Sequence, residues 1–311
     1  MPQMTDNGML DITSMVSQLD KTIDVMSMRR NEIAPDNLAE FFDVEQKPDH
    51  TGLTHKVSTF GSVAPLPKIN SDTEPLPRYV PVPGFPQTFT LLVRRQGIVV
   101  TRTLLKTERF ANVAQVVANL IKSGYQWDPY ARASIINGGF ATTTGADASY
   151  LFADAHAEVD PGAATWDNLG TGPLSGPNLH ALVLLMMNMT NERGYPMVIN
   201  PKALRVSTTD LRKAMELTQS VGKPEGMFNE PNVLIKGLSV DASRYFSSAT
   251  AYFLFGDLQG FEKGLCEVVL EDWWIENNKP ENADIVIDKM IRGTKVFGAT
   301  VSKNIVGSAG T

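Results

Sequence analysis

Seven of the chain's nineteen prolines fall between Pro65 and Pro86. A stretch so dense in proline cannot be a helix, because each ring removes an amide donor and clashes with the preceding turn. It cannot be an inner strand either, where the ladder needs every amide. It has to be an extended, stiff loop. The flanks read as strands: 54–63 before it, and 88–103 after it, rich in Thr88, Thr90, Val93, Ile98, Val99 and Val100. Two extended segments around a rigid loop form an arm that projects from a body. A two-stranded arm is marginal alone in water, so it needs another surface, and the simplest one is a neighbouring copy.

Charge sharpens this picture. Residues 1–50 hold four Lys/Arg against ten Asp/Glu, net −6, and residues 51–106 hold seven against two, net +5. An acidic arm followed by a basic segment predicts complementarity within the chain or between copies. The plainer reading is two solvated surfaces, since exposed pairs contribute little. The 311 residues, 42% hydrophobic and 20% charged, can bury a large core as two domains or one elaborated domain. The total charge of −6 argues against a general nucleic-acid field. Cys266 is the only cysteine, which excludes an internal disulfide framework and a paired-thiolate zinc site. The longest aliphatic run, 181–187, is far short of the ~20 residues that span a bilayer. Residues 1–20 lack the order of a secretion signal, so a cytoplasm-like compartment is expected.

Downstream, helices come first. Thr107 can cap a helix that Gly124 ends, with Val113, Val117, Leu120 and Ile121 on one face. Asp128-Pro129 reads as the cap and first position of a second helix, running to Asn137. Ser175 and Pro177 open a third, ending at Gly194. Ser207 with Asp210 resembles a capping box for a fourth, 208–219. Strands are expected at 232–240, 250–255, 265–276 and 284–292, the last two forming a long hairpin. The class is α+β.

Catalytic apparatus is hard to find. In Asp154-Ala155-His156-Ala157-Glu158, alternate residues of an extended segment could converge as metal ligands for a hydrolase. A hydrogen-bonded structural His156 is the reading the residues favour. The glycine-rich 170–176 lacks the lysine and spacing of a phosphate loop, and leads into the third helix. Trp273-Trp274 place one indole on each face of a strand, which suits burial between layers or at an interface. Cys266 reads as core. No enzyme, metal or cofactor is expected.

Several segments in order carry a resemblance. Ala131 to Phe140, with Asn137 and Phe140 at a helix end, precedes Leu151-Phe152 and His156; Gly194-Tyr195-Pro196, Asn200 to Leu204 and the capped fourth helix follow. This order resembles tailed-phage major capsid proteins, in particular the Mu-like group, over roughly 106–292; those members often carry Asp-Gly before the Leu-Phe, where this chain has Ala148-Ser149-Tyr150. The resemblance implies the Hong Kong-type capsid fold: an N-arm at 1–50, an extended E-loop hairpin at 51–105, a peripheral domain with a spine helix at 106–194, an axial domain at 195–262, a return hairpin at 263–292 and an axial tail at 293–311. It implies hexamers and pentamers of an icosahedral shell that encloses double-stranded DNA without reading its sequence. A nanocompartment shell of the encapsulin type is the alternative. Candidate partners are further copies and scaffold, portal and decoration proteins; the expected location is the virion, assembled in the host cytoplasm. Lys68, Arg78, Arg94 and Arg95 are the expected intersubunit contacts, with His156, Trp273 and Trp274 structural. Some relatives weld an E-loop lysine to a neighbour's asparagine. Lys68 permits that chemistry without indicating it, and a non-covalent shell is expected.

Overall fold

The structure is a computed structural model. It describes residues 34–46, 52–60, 83–101, 103–104, 110–159, 164–191, 195–220, 222, 237–258, 264–277 and 285–311, with the isolated positions Ser17, Lys21, Val25 and Glu32. Most of the proline-rich loop, including Lys68 and Arg78, lies outside these residues.

Two sheets organise the body. The first contains β1 (Phe42–Gln46), β4 (Leu92–Thr101), β9 (Leu265–Asn277) and β10 (Ile285–Ala299) in the order β1-β9-β10-β4. β9 and β10 form the expected long hairpin, and β10 pairs with β4 along ten positions on its other side. β10 outruns the expected end at 292 by seven residues, so that domain boundary falls inside a strand. The second sheet contains β5 (Leu169–Gly170), β6 (Ile199–Ser207), β7 (Ser239–Ser243), β8 (Tyr252–Leu258) and β11 (Ile305–Ser308) in the order β5-β11-β8-β6-β7.

A single helix, α1 (Phe110–Asn137), replaces the expected pair. Gly124 does not end it: this glycine is buried, and a Cβ there would meet Ile291 at 2.3 Å. Asp128 does not cap a new helix, because its side chain is engaged by the β9–β10 hairpin. Pro129 removes one helical hydrogen bond, and packing of α1 on β10 carries the helix through it. Val117, Leu120 and Ile121 are buried as their spacing predicts.

Two further helices cover the second sheet. In α2 (Gly176–Met187), Ser175 accepts from the amide of Asn178 at 3.3 Å, the cap read from the sequence, but the helix stops seven residues before Gly194. α2 packs on β6, β8 and β11, so it belongs with the second sheet and not with α1, as a boundary at 194 would have placed it. α3 (Leu211–Gln219) starts after Asp210, and Ser207 does not cap it; the Ser207 hydroxyl donates to the Ala249 carbonyl instead.

The arm is present as β2 (Thr54–Phe60) paired with β3 (Pro83–Thr90), a sheet of its own. β3 reaches into the proline run, which a two-stranded ribbon tolerates because each strand has a free edge. What reads as one strand over 88–103 is thus split between two sheets at buried Leu91, whose amide donates to Leu53. Phe89 pins the base of the arm to the body, packing with Leu91, Cys266 and Val268. It lies over Gly298, where a Cβ would come within 2.1 Å of its ring. Phe89→Ala should lower the unfolding free energy by about 3–5 kcal/mol, and Gly298→Ala should also destabilise; urea unfolding of both variants checks this.

Candidate functional site

Where the two sheets, α1 and the strap 34–46 meet, the charges are buried. The Arg132 guanidinium, on α1, bonds to Asp36 of the strap and to Glu267 of β9. Lys295 of β10 lies 3.0 Å from Asp128, 3.3 Å from Glu267 and 2.7 Å from Asp272. Apart from Asp272, every member of this network is nearly withdrawn from water. The buried part holds three carboxylates against two cations, and Trp273 supplies a further donor, its indole N–H reaching Asp128 at 2.8 Å. Burial alone would lower the proton affinity of Arg132; Glu267 and Asp36 outweigh it and raise the pKa above its ordinary value. The guanidinium also stands 5.3 Å from the Phe297 ring and 5.8 Å from the Phe42 ring.

The strap is tied to the second sheet as well. Buried Arg205 of β6 donates to Glu40 at 2.8 Å, to the Asn37 carbonyl at 3.1 Å and to the Ser239 carbonyl at 3.0 Å. Burial lowers its pKa, and the nearby Glu40 and Asp241 only partly reverse this. Phe41 stacks on Phe255 at 4.1 Å, and Phe42 is buried. His55 of β2 pairs with Glu45 of β1 at 2.7 Å, which links the arm to the strap.

Of the segments that carried the resemblance, the end of α1, Phe140, Phe152 and His156 lie in a second knot. Asn137, at the end of α1, donates to the Tyr245 carbonyl and accepts from the Ser247 amide. Phe140, Phe152 and Phe253 pack with ring centroids 4.9–5.9 Å apart. His156 is structural: it is buried, stacks on Trp166 at 4.0 Å, and bonds to Asp147 at 2.8 Å and Asn168 at 3.0 Å. Asn168, fully buried, also donates to the carbonyls of Leu151 and Ile305. The alternating Asp154, His156 and Glu158 therefore do not converge: Asp154 is exposed, and Glu158 pairs with Lys303 at 2.5 Å. Among the described residues no cluster of ligating side chains could hold a metal ion.

Trp273 is half-buried and Trp274 is 40% exposed, one on each face as expected. Arg94 on β4 lies over Trp127 of α1, 3.7 Å from the ring centroid, and Arg95 is exposed.

The fold has known counterparts. The capsid structure of cyanophage P-SCSP1u is similar over 88% of this chain and 88% of that one, with a TM-score of 0.59 at 8% identity. The chain has the α+β Hong Kong-type fold of tailed-phage capsid subunits. A chain of the mature capsid of bacteriophage PhiM1 shares this capsid fold over 85% of this chain and 84% of that one, with a TM-score of 0.53 at 10% identity. A structure from Mycobacterium phage Patience shares it over 99% and 90%, with a TM-score of 0.52 at 8% identity. No protein-family model and no curated protein sequence matches the chain.

Neutralising Lys295 as Met leaves Asp128 buried without its cation and Glu267 with Arg132 alone, and should cost about 3–5 kcal/mol, read by urea unfolding. A second test is acid stability. The Asp147 carboxyl is buried, which alone raises its pKa, but the bond to His156 and the Ser149 amide hold it below the ordinary 3.8. A depressed folded pKa contributes stability above the unfolded value that disappears as pH falls through the folded one. The stability advantage over Asp147→Asn should therefore be full at neutral pH and shrink below about pH 3.8.

Proposed function

We propose that this chain is a major capsid protein, assembling as hexamers and pentamers into a closed icosahedral shell around double-stranded DNA. The observation that carries the reading is the capsid fold extending over 88% of the chain, together with an arm that has little body of its own to lie on. Among the described residues β2 and β3 pair only with each other, and their exposed positions outnumber the one described as buried, Phe89. Such a ribbon gains stability when it rests on a neighbour.

In this reading residues 1–50 are the N-arm and 51–105 the E-loop, held to the body by Phe89. α1 is the spine helix of a peripheral domain that shares the four-stranded sheet with the return hairpin. The axial domain is the five-stranded sheet with α2 and α3, and the tail after 299 returns to it as β11. The role is structural and not enzymatic, the partners are copies of the chain with scaffold, portal and decoration proteins, and the location is the virion after assembly in the host cytoplasm. With 34 acidic against 28 basic groups, each subunit neutralises few phosphates, so the DNA inside is held without sequence readout.

Electron microscopy of the purified protein tests the reading. Closed particles of uniform size support it, and monomers under all assembly conditions refute it. The shell is non-covalent: boiling particles in reducing detergent should give one band at 34.0 kDa. A ladder of oligomers that disappears in Lys68→Ala would contradict this.

A further inference from the structure

The arm meets the body at two kinds of contact. One is an apolar pivot: Phe89 and Leu91 pack with Val268, and Val57 of β2 packs against them. The Leu91 amide donates to the Leu53 carbonyl at 2.7 Å, so both strands leave the body at this point. Gly52, just before β2, has φ +109° and open space around it, a root that bends with no side chain in the way. The other contact is polar. His55 Nε2 lies 2.7 Å from a Glu45 carboxylate oxygen. His55 is opposite Phe89 in the β2–β3 register, so its ring is on the inward face of the arm, beside the pivot. Glu45 stands on a braced strand: β1 is laddered to β9, and the strap before it bonds to Arg132 and Arg205. His55 stands on a two-stranded ribbon. The pair therefore spans the joint between the braced body and the arm.

Around the ring the charges have one sign. Asp43, two residues before Glu45 on β1, shares its face. β3 has no titratable side chain from Pro83 to Thr90. Behind the pivot, β9 presents Val268, Leu270 and the buried Cys266 thiol, which bonds to the Gly298 carbonyl at 3.8 Å, and β10 presents Val296. Lys56 of β2 is exposed on the opposite face. Among the described residues the ring bonds to Glu45 alone. A protonated imidazole makes a charge-assisted bond to a carboxylate, about twice as strong as a neutral one. Histidine is the side chain that ordinarily changes charge between about pH 5 and 8. The pivot's Phe, Leu and Val side chains carry no charge to titrate, so at this joint the proton acts on the polar contact.

We propose that His55 and Glu45 form a proton-operated latch: the protonated ring holds the arm down on the strap, and loss of the proton frees the arm to swing about Phe89. The proton shifts this balance only by the difference it makes to the pair. Glu45 is 49% exposed, so the shift is about threefold, inside the range of exposed ion pairs. Hydrogen exchange on the unassembled full-length chain tests the latch, at about pH 5.5 and about pH 7.5, on the two sides of an ordinary imidazole's titration. Rates are corrected for the intrinsic effect of pH. Ladder amides of β2 and β3 should be about threefold better protected at the lower pH, while those of β6 and β8 keep one value. His55→Gln retains a hydrogen-bonding side chain but has no charge to change, so its arm should show one protection at both pH values. Glu45→Gln should flatten the difference as well. A merely structural His55 would lose protection equally at both pH values when replaced. Wild-type arms with no gain in acid, or a gain that survives in His55→Gln, would overturn the inference. The chains are unassembled, so a failure here leaves the shell reading to the microscopy that tests it.

Discussion

The Arg132 guanidinium, clasped between Asp36 and Glu267, is the contact on which the rest of the fold leans. Its three members come from the strap, α1 and the long hairpin, separated by 96 and 135 residues in sequence. The strap and the hairpin also pair as β1 and β9, whereas α1 shares no ladder with either, and the guanidinium fixes the helix against that pair. Buried ion pairs are weak evidence for stability, because desolvation offsets much of the attraction. Their worth here is geometric. A buried charge tolerates only the arrangement that supplies its partners, so sliding the strap or the hairpin leaves an unpaired ion behind.

The strap extends that constraint to the second sheet. Between Asp36 and Phe41 it gives Asp36 to Arg132, Glu40 to Arg205, and Phe41 to Phe255. One short segment thus bonds to both sheets before joining the first as β1. The body becomes a stiff platform, and the β2–β3 arm leaves it at Phe89. The proposed shell rests on such a division: a body with one shape, and an arm free to lie on another copy.

Much of this was legible in the sequence for local reasons. Proline density marked the arm, strand-like runs at 250–255, 265–276 and 284–292 marked β8, β9 and β10, and the Ser175 cap marked α2. What escaped depended on long-range partners. Asp128-Pro129 has the local form of a helix start, yet Trp273 and Lys295, 145 and 167 residues away, take the carboxylate that would have capped it. β6 was missed because Pro201 and Lys202 interrupt its apolar pattern, although it pairs with strands on both sides. Lysines 289 and 295 lie buried in β10, and lysine signals a solvated position until its carboxylates are known. Of the residues expected to contact neighbours, Arg94 proved to stack on its own chain's Trp127, a pairing that no spacing rule connects. His156 was read as structural, but its partners Asp147 and Asn168 were not named, because a loop brings them in.

Hydrogen exchange on Arg132→Met tests the central claim directly. If the guanidinium locks the strap to the body, amides of 34–46 and of β9 around Glu267 should lose protection together, while β6 and β8 in the second sheet keep theirs. Unchanged protection across the strap would contradict the account and leave Phe41 and Phe42 packing as what holds the body together.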